Sequence, residues 1–160
     1  HKSVVLFLDE PTTGVDVVSR KEFWEMLRKL KKQGITIVVS TPYMDEATLC
    51  DRIALIANGS IMSIDTPGNI VQSFPRPLFA AKADNIYKLL QDLRPDTRVE
   101  SCYPFGEYLH LTLKADDADA FNTIRLAGGD NAEGFEVKTV TPTIEDSFIR
   151  LMNEQNNSQL

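Results

Sequence analysis

The sequence lacks the features of several common functional classes. Its 160 residues include only two cysteines, Cys50 and Cys102, and neither has neighbouring metal ligands at the spacing of a zinc site. We therefore expect two free thiols in a reducing cytosol. The chain shows neither a signal peptide nor an apolar run of membrane-spanning length, so we expect any membrane association to come through a partner protein.

Basic residues are also in deficit. The chain has 17 Lys and Arg against 23 Asp and Glu, which gives a formal net charge of -6. Because nucleic-acid binding is dominated by basic contacts with phosphates, we expect no nucleic-acid partner. The 42% share of hydrophobic residues is typical of a globular protein, and the length of the chain suits one domain or two small ones.

The most informative stretch is VVLFLDEPTTGVD, from Val4 to Asp16. Its apolar part is continuous and rich in β-branched and aromatic residues, which predicts a parallel strand buried on both faces. Asp9 and Glu10 follow at the carboxyl end of that strand, where open α/β sheets bind their ligands. Two carboxylates there can hold a hydrated metal ion and polarise a water molecule. They can also simply cap the strand and begin a surface turn, because short motifs often match by chance.

Two motifs in this stretch resemble those of a known family. VLFLDE at Val5 to Glu10 resembles the Walker B motif of ABC transporter ATPase subunits, and TGVD at Thr13 to Asp16 resembles their D-loop. The resemblance implies that Asp9 holds Mg²⁺ through water and that Glu10 polarises the water that attacks ATP. It also implies that Asp16 lies at the interface with a second ATPase subunit.

The following segments extend the resemblance with one exception. A helix is predicted over Ser19 to Gln33, with Ser19 as its N-cap and Trp24 either packing beside the apolar stripe or contacting a partner. A second β-branched strand, Ile35 to Val39, completes a crossover unit. The run from STPYMDEA through CDRIALIANGSIM then resembles the family residue for residue. At Pro42, however, the family normally has the H-loop histidine that contacts the γ-phosphate.

Pro42 changes what the resemblance implies for activity. Proline offers neither an imidazole nor a backbone donor, so we expect the hydrolytic site completed by this chain to be degenerate. The intact Glu10 leaves room for slow turnover. The alternative is that the loop tolerates proline at a strand end without functional consequence.

Three further family motifs are missing from the sequence. They are the phosphate loop GxxxxGK[ST], the signature sequence LSGG and the Q-loop. All three normally precede Walker B in the family. We therefore interpret the chain as the C-terminal part of a longer ATPase, and we expect that it does not bind ATP tightly by itself.

The pattern changes in the second half of the chain. Two prolines within residues 75–77 indicate a linker between a partial ATPase core, 1–74, and a second domain, 78–152. The second domain is predicted to have the order βαββαβ, which is that of a ferredoxin-like domain. Its closing phrase PTIEDSFIRLM resembles the end of the C-terminal accessory domain of exporter-type ABC ATPases. Residues 153–160 are polar and predicted to fray.

Two details of the second domain are also predicted. Its second helix is expected over Asp116 to Ala127. His110 lies in an alternating strand, so it is expected to face solvent on the side opposite the leucines. No residue of this domain is assigned a catalytic function.

The leading hypothesis is an α/β protein: the C-terminal half of a P-loop ATPase core with a parallel sheet, followed by a small α+β ferredoxin-like domain. The resemblance implies ATP and Mg²⁺ as cofactors, and a second ATPase subunit and a membrane permease as partners. It places the protein at the cytoplasmic face of the cell membrane. The alternatives are a non-catalytic regulatory or interaction protein on the same scaffold, and a soluble ABC ATPase without a permease. Pro42 and the missing phosphate loop favour the first alternative for this chain alone, whereas in a parent protein they indicate asymmetric paired sites.

Overall fold

The computed structural model describes residues 4–114, 119–128 and 134–157. The chain contains both helices and strands along its length, in agreement with a mixed α/β class. The chain divides into two compact units, His1–Val71 with Ile144–Leu160, and Gln72–Thr143. In the residues described, no helix combines the length and the apolar character needed to cross a membrane. The elements, in order, are β1 (Val5–Asp9), α1 (Val17–Lys32), β2 (Thr36–Ser40), α2 (Met44–Ala47), β3 (Ile53–Ala57), β4 (Ser60–Asp65), α3 (Pro67–Gln72), β5 (Leu78–Lys82), α4 (Ile86–Leu93), β6 (Val99–Phe105), β7 (Tyr108–Leu113), α5 (Ala120–Ala127), β8 (Glu136–Val140) and α6 (Ile144–Asn157).

In the first unit, β1 and β2 form a parallel pair in which Val5 lies opposite Thr36 and Asp9 lies opposite Ser40. The helix α1 connects them and ends at Lys32, and Gly34, just after the C-cap Gln33, has the left-handed φ of +88° that is typical of a helix terminator. This is the predicted strand, helix and strand. The parallel register brings the carboxyl ends of both strands to the same edge.

The prediction that β1 is buried on both faces is wrong. Phe7 is 73% exposed and Val38 on β2 is 48% exposed, whereas Leu6 and Leu8 on the other face of β1 are partly buried. Since β1 and β2 make a two-stranded sheet, the described residues cover only one face, and alternate side chains of each strand face outward. A continuous apolar run predicted two covered faces and could not show that one of them is open.

The first unit has a small hydrophobic core that includes side chains of the hairpin β3–β4. The hairpin turns at Asn58 and Gly59, both with positive φ, as the Asn-Gly pair predicted. Below it, buried apolar side chains from α2, β3, α3 and α6 form a small core, which consists of Ala47, Ile53, Leu55, Ile70 and Ile144. On α1, Trp24 is buried, so the packing alternative holds for that residue.

The position of α6 corrects the predicted domain boundary. Residues 144–152 were assigned to the accessory domain, but Ile144 packs in the core of the first unit, and the hydroxyl of Ser147 donates to the carbonyl of Ile70. The apolar side of α6 therefore packs against residues of the first unit. The helix also continues to Asn157, so fraying from position 153 is wrong for 153–157, whereas 158–160 lie outside the described residues.

The second unit is built on an antiparallel sheet with the strand order β6-β7-β5-β8. Its elements follow one another as β5, α4, β6, β7, α5 and β8. The core lies on the face of the sheet that α4 and α5 pack against, with Phe79, Leu89, Leu111 and Ile124 all buried. The predicted beginning of α5 at Asp116 lies outside the described residues.

The position of His110 also differs from the prediction. It was expected to face solvent, but it is 7% exposed, and its ring stacks on Phe105 at 4.1 Å between centroids. Tyr103 contributes an edge contact at 6.1 Å. The alternating pattern of β7 predicted that this face is exposed to solvent. In the structure, β6 pairs with β7, and its side chains Phe105 and Tyr103 cover His110 on that face.

Both cysteines are free thiols, as predicted. Burial raises the pKa of the Cys102 thiol to about 11, and it also raises the pKa of Cys50. Because the thiolate is the reactive form, neither side chain is activated for nucleophilic or redox chemistry.

Candidate functional site

The candidate site forms where the two parallel strands end. The register places Asp9 opposite Ser40, and the Ser40 hydroxyl donates to Asp9 Oδ1. The same hydroxyl accepts from the backbone N–H of Glu10 at 3.0 Å. That N–H also lies 3.1 Å from the Ser40 carbonyl oxygen. One side chain of β2 therefore contacts both Asp9, which ends β1, and Glu10, which follows it.

Glu10 has an uncommon backbone conformation. Its φ of +43° is in the left-handed region, which residues other than glycine, asparagine and aspartate rarely adopt. Such a conformation costs about 1–3 kcal/mol and persists only where neighbouring contacts hold it. Here the contacts are the bonds to Ser40 and those of Thr13, whose N–H donates to the Glu10 carbonyl at 3.2 Å and whose hydroxyl donates to Glu10 Oε2 at 3.3 Å.

A tight turn joins Glu10 to Asp16. Val15 N–H donates to the Thr12 carbonyl at 3.1 Å, and Gly14 has a φ of +76°, a conformation that glycine adopts readily in turns. Asp16 then begins α1. Its Oδ1 accepts from the backbone N–H groups of Val18 at 3.0 Å and Ser19 at 3.1 Å.

Asp16, rather than the predicted Ser19, is thus the N-cap of α1. Hydrogen bonds from the side chain and backbone of Ser19 lower the pKa of the Asp16 carboxyl below its ordinary value of 3.8. A carboxyl whose pKa is lower in the folded state stabilises the fold above the unfolded pKa. That stabilisation is lost as the pH falls through the lowered pKa of the folded state.

This geometry predicts an acid-sensitive beginning of α1. We expect amide hydrogen exchange of Val18 and Ser19 to accelerate as the pH is lowered from 5 towards 2, after correction for intrinsic exchange. The variant Asp16→Asn keeps an oxygen that can cap the helix but does not titrate, so its corrected exchange should be independent of pH. The same pH dependence in Asp16→Asn would show that another group is responsible.

Pro42 lies in a bend just after β2 and is exposed. It follows Ser40 by two positions, so the structure places the predicted switch position on the same strand end that holds Asp9 and Glu10. The structure thus brings Asp9, Glu10 and Ser40 into direct contact. Asp16 lies in the segment that follows β1, and Pro42 lies in the segment that follows β2.

The site fits a hydrated Mg²⁺ ion better than a metal held by protein ligands alone. In the described part of the chain, no group of three or more His, Cys, Asp or Glu side chains lies close enough to hold a metal ion. Asp9 is an exposed carboxylate at a strand end. Mg²⁺ keeps several waters and takes one or two carboxylates together with phosphate oxygens. Asp9 would need to supply only one of these carboxylates.

Comparison with known proteins agrees with these features. The chain is 32% identical over 155 residues to the daunorubicin resistance ATP-binding protein DrrA2 of Streptomyces coeruleorubidus, a match that covers 92% of this chain and 47% of DrrA2. It is 44% identical over 70 residues to the probable multidrug ABC transporter ATP-binding protein YbhF of Escherichia coli, which covers 44% of this chain and 12% of YbhF. These relatives are ABC transporter ATP-binding proteins, and this chain matches a C-terminal fragment of such a subunit.

The family extends to eukaryotic proteins. ABC transporter A family member 7 of Arabidopsis thaliana is 28% identical over 160 residues, with 92% of this chain and 16% of that protein covered. A scan against protein-family models finds no match. The chain spans less than half the length of each of these ABC proteins.

Reasoning from the sequence did not assign a function to Ser40 or Thr13, although both contact the candidate carboxylates. A signal for Ser40 was present, because it ends the second parallel strand, and parallel strands of equal length bring their ends together. The contact of Thr13 depends on the left-handed conformation of Glu10, which no pattern in the sequence indicates.

Proposed function

We propose that this chain is the portion of an ABC transporter ATPase subunit that runs from the Walker B strand onward, and that it supplies the metal-holding and water-polarising groups of an ATP hydrolysis site. The observation that carries this proposal is the contact of Asp9, Glu10 and Ser40 at the carboxyl edge of the parallel pair. The match to ABC transporter ATP-binding proteins supports it, as does the strained backbone of Glu10, because such strain concentrates at functional sites.

Each residue has a defined function in this proposal. Asp9 holds Mg²⁺ through a water molecule, and its orientation is set by the Ser40 hydroxyl. Bound Mg²⁺ would neutralise charge on the phosphate oxygens. Glu10 accepts a hydrogen bond from the attacking water and orients it. Asp16 keeps α1 capped and presents its exposed side to a second ATPase subunit.

Pro42 makes the site that this chain completes degenerate. A histidine there would contact the γ-phosphate through an imidazole N–H, and proline has no polar side-chain atom and no backbone N–H. The site would therefore turn over slowly, while a partner subunit with an intact switch position would turn over normally. This asymmetry distinguishes the proposal from an ordinary pair of equal sites.

The remaining elements of the proposal concern partners. A membrane permease would hold the subunit at the cytoplasmic face of the membrane, and ATP would be shared with the second ATPase subunit. The second unit would be a ferredoxin-like accessory domain, which its element order and antiparallel strand order support. Pro42 also supports a second candidate function, a non-catalytic regulatory subunit that uses the same scaffold without hydrolysing ATP.

Nucleotide affinity tests the proposal. We expect calorimetry to detect no binding of Mg²⁺ and ATP to this chain at micromolar concentrations, because its sequence contains no phosphate loop to cradle the phosphates. A chimera in which the chain replaces the matched segment of DrrA2 should bind, because DrrA2 supplies its remaining segments. Micromolar binding by the chain alone would contradict this division of the site. A folded chimera that fails to bind would contradict the assignment of this chain to the ATPase core.

A further inference from the structure

A buried carboxylate lies beside the candidate site, within the run STPYMDEA, and no function has been assigned to it above. Glu46 on α2 has a side chain that is only 1% exposed. Its Oε2 accepts from the Thr12 hydroxyl at 3.0 Å and from the Thr41 hydroxyl at 2.7 Å. Carboxylates are rarely buried to this degree, because the loss of hydration must be offset by hydrogen bonds and opposite charge.

The opposite charge comes from α1. Arg20 Nε lies 3.5 Å from Glu46 Oε1, an ion pair without the geometry of a hydrogen bond. The same guanidinium lies over the ring of Tyr43, with Cζ 4.3 Å from the ring centroid. Arg20 therefore compensates the buried charge, while the carboxylate oxygen that faces it accepts no hydrogen bond from the residues that the structure describes.

The two threonines lie on different functional loops. Thr12 is in the turn from Glu10 to Asp16 and is itself fully buried. Thr41 directly precedes Pro42, and its hydroxyl accepts from the Tyr43 N–H at 3.1 Å while donating to Glu46. A continuous chain of hydrogen bonds thus runs from the loop after β2, through Glu46 Oε2, to the turn after β1.

We infer that Glu46 is a positioning residue that couples the turn carrying Glu10 and Asp16 to the loop carrying Pro42. It acts through Thr12 and Thr41 and does not contact the reacting groups. A change in one loop, such as the engagement of a phosphate near position 42, is thereby transmitted to the backbone that holds Glu10. The catalytic meaning of this coupling rests on the proposed function, but the coupling itself does not.

Amide hydrogen exchange of the chain, measured by NMR without nucleotide, tests the coupling. The reporters are the N–H groups of Thr13 and Val15, which donate to the carbonyls of Glu10 and Thr12. Thr41→Val should accelerate exchange at both reporters about tenfold, since it removes one hydrogen bond to a charged group. The matched control is Thr48→Val, which removes a hydroxyl bond to the Asp45 carbonyl and should leave both reporters within about twofold.

Double-mutant cycles separate coupling from general loosening. In a Glu46→Met background, Thr41→Val should have no further effect on the reporters, because no acceptor joins the two loops. In Glu46→Gln, which keeps an acceptor oxygen, the effect should persist. If Glu46→Met does not fold, Thr12→Val and Thr41→Val combined should be non-additive, because both hydroxyls donate to one oxygen.

The inference is overturned if Thr41→Val leaves Thr13 and Val15 unchanged, if Thr48→Val accelerates them equally, or if the two threonine variants are additive. Because no nucleotide is present, these outcomes are independent of whether the DrrA2 chimera binds or hydrolyses ATP. The coupling can therefore fail while the proposed function holds, and the reverse is also true.

Discussion

Replacing Pro42 by histidine in the DrrA2 chimera is expected to raise the single-turnover rate of ATP hydrolysis by about 10² to 10⁴-fold, the usual contribution of a positioned acid or base. The reason is local. Pro42 lies just beyond Ser40, so an imidazole there projects from the strand end that already holds Asp9 and Glu10. It restores a polar contact that proline lacks.

A matched control tests whether the gain belongs to this position. Pro95 is exposed in the segment between α4 and β6 of the other unit, so Pro95→His should leave the rate unchanged. Equal rates for the chimera and its Pro42→His variant, with ATP bound in both, would sink the idea that Pro42 limits hydrolysis.

Glu10→Gln is expected to have an equally large effect in the opposite direction. In the Pro42→His chimera it should lower kcat by about 10² to 10⁴-fold, because an amide is a far weaker proton acceptor than a carboxylate for the attacking water. Glutamine keeps the side-chain length and an oxygen that accepts from Thr13, so the turn should remain intact.

Nucleotide affinity distinguishes this chemical effect from a general defect. A residue that acts on the attacking water lowers kcat without weakening ATP binding, so the dissociation constant should stay unchanged in Glu10→Gln. The control is Glu22→Gln, a change of the same kind on the exposed surface of α1, which should alter neither quantity. Wild-type kcat in Glu10→Gln would mean that another group orients the water.

Local chemistry made several features predictable from the sequence. The apolar run before Asp9 and the β-branched run before Ser40 indicated two parallel strands joined by a helix. The Asn58-Gly59 pair indicated a hairpin, and the glycine at position 34 indicated a helix end. In each case the residues impose the geometry through steric preference or through satisfaction of backbone hydrogen bonds, and neighbours distant in the chain alter little.

The predictions that were wrong concern which surfaces of the elements are buried and what they pack against. Nothing in the sequence around Phe7 shows whether its side of the sheet is covered, because an apolar side chain is compatible with either state. The pattern placed His110 on the polar side of its strand and could not show that Phe105 and Tyr103 cover that side. The apolar residues of α6 are visible in the sequence, but they do not show which core they join, which is the one around Ile144.

The candidate site divides in the same way. The types and order of Asp9, Glu10, Asp16 and Pro42 could be read from the sequence, together with the family resemblance. The contacts of Ser40 required the strand register, which sets Asp9 opposite it. The left-handed backbone of Glu10 is a consequence of contacts on both sides of the turn, so it appears only once the strands are paired.

Paramagnetic relaxation by Mn²⁺ tests whether the metal ion that accompanies ATP binds beside Asp9. In the Glu10→Gln chimera, where bound ATP should persist, Mn²⁺ can replace Mg²⁺ because it prefers the same carboxylate and water ligands. The proposed metal site at Asp9 predicts that Mn²⁺ with ATP broadens the amide signals of Asp9 and Ser40, that Mg²⁺ with ATP does not, and that Asp9→Asn weakens the broadening. Unaffected signals at Asp9 and Ser40 while ATP is bound, or broadening centred on the exposed acidic residues Asp45 and Asp51, would contradict it.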